Sequence, residues 1–188
     1  MKNVALLVVL FFAFNALNAV GAPVAIFGLP IGGKLPSYPS VCSEITETKI
    51  CWISSPEDLG KRGLKYGYLN LPNDSLPSWA TYQMMSVTVA GNGTFHSLSM
   101  DIKERCDVNE IVRSISARFK SPTRDGLATV RTHNVGKASW DLESISISVS
   151  VLSAGRCVVS FHSRESVNEF EKEMGEFKRR ESARPKTP

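Results

Sequence analysis

From Ser144 to Val151 two kinds of side chain alternate without a break: Ser144, Ser146, Ser148 and Ser150 in one register, Ile145, Ile147, Val149 and Val151 in the other. Only an extended chain places every second side chain on the same side, so this segment reads as a strand with one dry face and one wet, serine-covered face. A turn at Ala154-Gly155 leads into Cys157, Val159 and Phe161, which alternate again and complete a hairpin. An earlier hairpin has the same form. Val87 and Val89 alternate toward Asn92-Gly93, and Leu98, Met100 and Ile102 alternate away from it. A type I′ turn at Asn92-Gly93 sets Met85 opposite Met100, Val87 opposite Leu98 and His96 opposite Val89.

Each hairpin is followed by a helical pattern. Asp107 with Glu110 makes a capping box, and Val108, Ile111, Val112, Ile115 and Phe119 recur at helical spacing up to Ser121-Pro122. Ser163 caps a second helix, in which Val167, Phe170, Met174 and Phe177 are spaced by three, four and three residues. The expected fold is therefore α+β: an antiparallel sheet built from two hairpin-helix units, ββαββα, with both helices on one face and the serines on the other.

The chain opens on Lys2 and eleven consecutive apolar residues, Val4 to Phe14, followed by mostly small residues up to Ala22. These are the parts of a secretory signal peptide, and the run is shorter than the ~20 apolar residues of a membrane span. Residues 1–21 are read as that signal and 22–40 as a Gly/Pro-rich extended arm. Residues 41–177 form a single α+β domain, and 178–188 a basic, disordered tail. Export makes disulfides the expected state of the four cysteines, Cys42, Cys51, Cys106 and Cys157. A hairpin with a two-residue turn at Thr46-Glu47 puts Cys42 face to face with Cys51, which leaves Cys106 with Cys157. The domain is thus expected to carry a disulfide-linked N-terminal hairpin.

The formal charge of +4 is concentrated at the end of the chain, where Lys178, Arg179, Arg180, Arg184 and Lys186 face Glu181 alone. The folded part is close to neutral, which argues against a nucleic-acid surface. The tail is suited to peripheral contact with an anionic surface. Gly28 to Lys34 matches the spacing of a phosphate loop, but Leu35 stands where the magnesium-binding hydroxyl belongs and Pro30 removes an amide donor. No cysteine or histidine pair has metal-ligand spacing, so neither a metal nor a cofactor is expected.

Catalytic motifs are missing as well: the chain has no G-x-S-x-G, H-E-x-x-H or S-x-x-K. Of the three histidines, His133 lies in a polar loop within reach of Asp125 or Asp141, and His96 and His162 fall on strands of different hairpins. Trp79 sits in a loop, with Tyr82 close along the chain. Loop aromatics of this kind build protein- or glycan-binding patches, and they also cover the ends of small cores. Trp79, Tyr82 and His133 are the candidate binding residues, and no catalytic residue is assigned.

The chain resembles a broad group of uncharacterised small exported, periplasmic proteins of Gram-negative bacteria. The likeness rests on the opening Phe27-Gly28-Leu29-Pro30-Ile31-Gly32-Gly33, on Cys51-Trp52, and on the succession of Lys120-Ser121-Pro122 and Ala138-Ser139-Trp140. It implies a periplasmic or secreted location and no activity. The function expected is that of an exported binding or interaction protein of the cell envelope, in its sharpest form an inhibitor or immunity-type factor that acts on another exported protein. The alternatives are an envelope hydrolase with a dispersed site around His133 and a structural protein tethered by its basic tail.

Overall fold

In a computed structural model the chain is described over residues 22–45, 48–60, 63–80, 85–103, 106–127, 136–153 and 155–182. Residues 1–21, read above as a signal peptide, and the end of the expected tail lie outside these residues. An 11-stranded sheet organises the molecule. Its main path runs β3 (Cys51–Trp52), β5 (Leu64–Asn70), β6 (Met85–Ala90), β7 (Phe95–Ile102), β11 (Arg156–Ser163), β10 (Ile145–Ser153), β9 (Gly136–Asp141) and β8 (Arg124–Asp125). All neighbours on this path are antiparallel. Off the path, β4 (Glu57–Asp58) borders β5, and β1 (Val24–Ile26) pairs with β2 (Leu29–Ile31). Helix α1 (Val108–Phe119) follows β7, and α2 (Arg164–Ser182) follows β11. The expected start of the tail, Lys178 to Ser182, is thus still helical.

Both hairpins are present and each precedes a helix, yet each is widened by a further antiparallel strand, β5 beside β6 and β9 beside β10. The two triplets meet where β7 pairs with β11, so the centre of the sheet joins the two halves of the chain. Met85 faces Met100 and Val87 faces Leu98, but Val89 faces Phe95, and His96 is left over at a bulge. The turn accounts for the shift. Ala90 N–H donates to Thr94 O and Gly93 N–H to Ala90 O, with a positive φ at Gly93 and not at Asn92. The loop is therefore a three-residue turn with glycine in the left-handed position, one residue longer than the type I′ form.

The hydrophobic alternation drives the packing. Val87, Leu98, Val159, Ile147 and Trp140, one from each of five adjacent strands, are all inside a single core with Ile111 and Ile115 of α1. The Gly/Pro-rich arm contributes to this core as well: Ile26, Leu29 and Ile31 are fully buried, and Ile31 pairs in parallel with Phe95. Helix α1 starts where the sequence places it. The Asp107 carboxylate accepts from the N–H groups of Asn109 and Glu110, at 3.0 and 3.1 Å. The box is only half formed, because Glu110 Oε1 accepts instead from Ser78 Oγ at 2.7 Å and ties the 71–80 loop to the helix.

The disulfides are Cys42–Cys51 and Cys106–Cys157. The first does not close a hairpin in the expected register. Val41 bridges Trp52 in parallel, Cys42 N–H donates to Trp52 O, and Trp52 N–H donates to Ser40 O. The segment 40–42 therefore runs alongside β3 in the same direction, and the cystine links two parallel stretches. The turn expected at Thr46-Glu47 lies outside the described residues.

Helix α2 departs furthest from expectation. None of its described side chains belongs to the core, which α1, the arm and the 71–80 loop cover. Gly175, midway along α2, has nothing within 4 Å of the position a Cβ would take. Gly175→Ala should therefore stabilise the protein by about 0.5 to 1 kcal/mol, the difference in helix propensity. A urea titration checks this, and a loss of stability would mean that α2 packs more closely than described here.

Candidate functional site

Two surfaces remain when the core is complete. On the open face of the sheet the register lines up hydroxyls strand by strand. Tyr68, Ser86, Ser99, Ser160, Ser148 and Ser139 form one row across β5, β6, β7, β11, β10 and β9. Tyr66, Thr88, Ser97, His162, Ser146 and Asp141 form the next. Neighbours in a row stand one strand spacing, about 4.8 Å, apart. Much of this hydrogen-bonding capacity is used within the face: Ser99 Oγ donates to Ser160 Oγ at 2.9 Å, Ser86 Oγ to Ser99 O at 3.2 Å, and Tyr66 OH to Tyr68 OH at 3.1 Å. At one corner Arg156 donates two hydrogen bonds to Asp101, at 3.1 and 2.8 Å, and holds that carboxyl below the usual carboxylate range. The pair is exposed and contributes little stability.

His162 is the titratable centre of this face. Burial, with a smaller contribution from the Lys137 ammonium, pushes its pKa down. A depressed histidine is neutral in the folded protein where the unfolded chain already takes up a proton. The unfolded state therefore binds more protons below the ordinary histidine pKa of about 6.5, and stability is complete above that pH and falls as the pH drops through it. His162→Gln should flatten this fall below about pH 6.5. Denaturant midpoints for both proteins across that range test the assignment, and parallel curves would show that His162 does not carry the dependence. No hydrogen bond joins the His162 ring to a serine among the described residues, so the neighbouring hydroxyls are not assembled into a nucleophile and base.

The second surface is α2. Glu165, Glu169, Lys172, Glu173 and Glu176 lie along one flank of the helix and line a cleft of about 550 Å³ against Leu64, Ala90, Asn92 and His96. At 100° per residue, Val167, Phe170 and Met174 fall on the opposite flank. Phe170 is 58 % exposed and Met174 39 %. A surface helix usually turns its apolar stripe inward, whereas here Phe170 and Met174 are left exposed together with the charged flank.

Of the three candidate binding residues, Trp79 is described. It is half-buried, with its ring 5.9 Å from Phe27 in an edge-on contact, and Phe27 in turn meets Phe161 at 5.8 Å. Trp79 thus packs on the core, and its indole N–H has no acceptor among the described residues. Tyr82 and His133 lie outside the described residues. Tyr66 and Tyr68 are on β5. The outward turn of Phe170 and Met174 was not foreseen from the sequence, although one signal was there. Glu165, Glu169 and Glu173 recur every fourth residue and compete with the apolar stripe for the inner position.

Among the described residues no helix is long and apolar enough to cross a membrane. The two disulfides fit an oxidising compartment. No protein-family model matches the chain, and no curated protein or solved structure is significantly similar to it.

Proposed function

We propose that this protein is an exported binding protein of the cell envelope that engages another exported protein through the apolar stripe of α2. The observation that carries the reading is the exposure of Phe170 and Met174 on α2. Large apolar side chains at Phe170 and Met174 face solvent while a complete core lies beneath them, so their burial has to come from outside the domain. Aromatic and methionine side chains are the types enriched at the centres of such interfaces. A rigid, disulfide-braced scaffold that presents one helix is also what an inhibitor or immunity-type factor needs, because little of its binding surface must be ordered on association.

The test is affinity capture by the mature, oxidised protein from an envelope extract, compared with Phe170→Glu/Met174→Glu. Both positions are exposed, so the variant should fold with unchanged stability. One protein should be retained stoichiometrically by the wild type and lost from the double variant. Retention by both would place the interface elsewhere, with the hydroxyl rows of the sheet as the next surface to disrupt.

A further inference from the structure

The inner flank of α2 has a chemistry that partner binding through the outer stripe does not use. Four carboxylates, from Glu165, Glu169, Glu173 and Glu176, border the cleft over the ends of β5, β6 and β7, together with Lys172. An acidic helix flank is common on protein surfaces. What distinguishes this one is His96, the bulge residue of β7. It is only 8 % exposed, its ring makes no hydrogen bond to a described residue, and it lines the same cleft. The largely buried His96 ring thus offers the cleft a nitrogen that no described residue occupies, and beside the carboxylates it suits a ligand that can donate a hydrogen bond and carries positive charge.

We infer that the cleft between α2 and the β5–β7 ends is a binding site for a linear polyamine. A metal ion fits poorly, since no three metal-ligating side chains among the described residues are grouped closely enough to hold one, and the space of about 550 Å³ is far larger than an ion. A quaternary ammonium group is recognised by an aromatic cage, and no Phe, Tyr or Trp lines the cleft. Spacing favours an extended chain of ammonium groups. Glu165, Glu169 and Glu173 are four residues apart, so their positions repeat about every 6 Å along the helix. Two amines joined by a four-carbon spacer are separated by about the same distance when extended, given bond lengths near 1.5 Å. Each ammonium then meets a carboxylate, and one of them donates to a ring nitrogen of His96.

The experiment is a calorimetric titration of the mature, oxidised protein with spermidine at fixed ionic strength. The expected result is saturable binding of one spermidine per chain, weakened roughly tenfold by Glu169→Gln/Glu173→Gln, the loss expected for two partly exposed ion pairs. Glu171→Gln removes the same charge from a position that does not line the cleft and should leave binding unchanged. His96→Gln, which keeps a hydrogen-bond acceptor, should bind better than His96→Leu. The inference is overturned if magnesium chloride gives the same heats as spermidine, which would mean only counterion exchange. It is overturned as well if Glu171→Gln weakens binding as much as the cleft variant, or if tetralysine binds more tightly than spermidine, which would assign the cleft to a basic peptide. Wild-type protein that shows no saturable heat also rejects it. None of these substitutions touches Phe170 or Met174, so failure here leaves the outer stripe untested and intact.

Discussion

Replacing Cys106 and Cys157 together by alanine should lower stability by about 4 kcal/mol, the chain-entropy value for a loop of this length. The bridge spans 51 residues of sequence, from the position just before the cap of α1 to the buried Cys157 of β11, with Cα atoms 6.0 Å apart. Without it the unfolded chain regains the freedom of that whole loop. The folded sheet meanwhile keeps its β7–β11 ladder, including the pairing of Cys157 with Ile102. For a domain of this size the melting temperature should fall by roughly 10 °C. The shorter Cys42–Cys51 loop, with a separation of 9 residues, should contribute less, about 2.5 to 3 kcal/mol on the same relation. Thermal unfolding of the two double-alanine variants under oxidising conditions checks both the size and the order. A larger loss at Cys42–Cys51 would mean that the arm and β3 are held mainly by that cystine, and not by the core beneath them.

The second large effect belongs to Trp140. It is fully buried on β9, pairs with Ile147 of β10, and its indole N–H donates to the carbonyl of Lys120, 2.9 Å away at the end of α1. One side chain therefore fills the core and also closes the C-terminus of the helix, where Lys120 takes a positive φ of 65° and interrupts the helical hydrogen bonding. Trp140→Ala removes the largest kind of core side chain and should cost about 3 to 5 kcal/mol. Trp140→Phe keeps most of the volume but leaves the Lys120 carbonyl without its donor, and should cost about 1 to 3 kcal/mol. Denaturant unfolding of the pair separates the two contributions. Equal losses would show that the hydrogen bond to Lys120 accounts for nearly the whole role of the residue.

How much of this could be read from the residues depended on how much each element relies on local pattern. The serine-aliphatic run of β10, the alternation of β6 and β7, and the Asp107 cap are periodic or local signals, and each produced the element it implied. Strand β5 was missed. Its core-facing positions include Gly67, packed against Trp52 and Pro56, while its tyrosines stand on the other face, so hydrophobic alternation is hidden. Strand β9 contributes only Ala138 and Trp140 to the core, too few to make a period visible. The cystine between Cys42 and Cys51 was anticipated from an antiparallel register, yet it forms between parallel segments. Proximity of the two positions did not depend on the direction of the strands. In α2 the spacing of Val167, Phe170 and Met174 identified an apolar stripe correctly and said nothing about which way it would turn. That depends on whether the core still has room, and the arm residues Ile26, Leu29 and Ile31 already occupy it.

The arm explains why α2 is free to present its stripe. A Gly/Pro-rich opening read as an extended arm proves to hold a hairpin inserted into the core, with Phe27 and Gly28 both at positive φ in its tight turn. With that side of the sheet closed by the arm, α1 and the 71–80 loop, the last helix is left outside the core, with Phe170 and Met174 exposed.

The most direct test of that arrangement is photo-crosslinking in intact envelopes with a photoreactive phenylalanine analogue placed at position 170, and separately at position 148 on the serine face. The account predicts one discrete protein adduct from position 170 and none from position 148. An adduct from position 148 alone, or a stripe at position 170 that captures nothing at all, would contradict it.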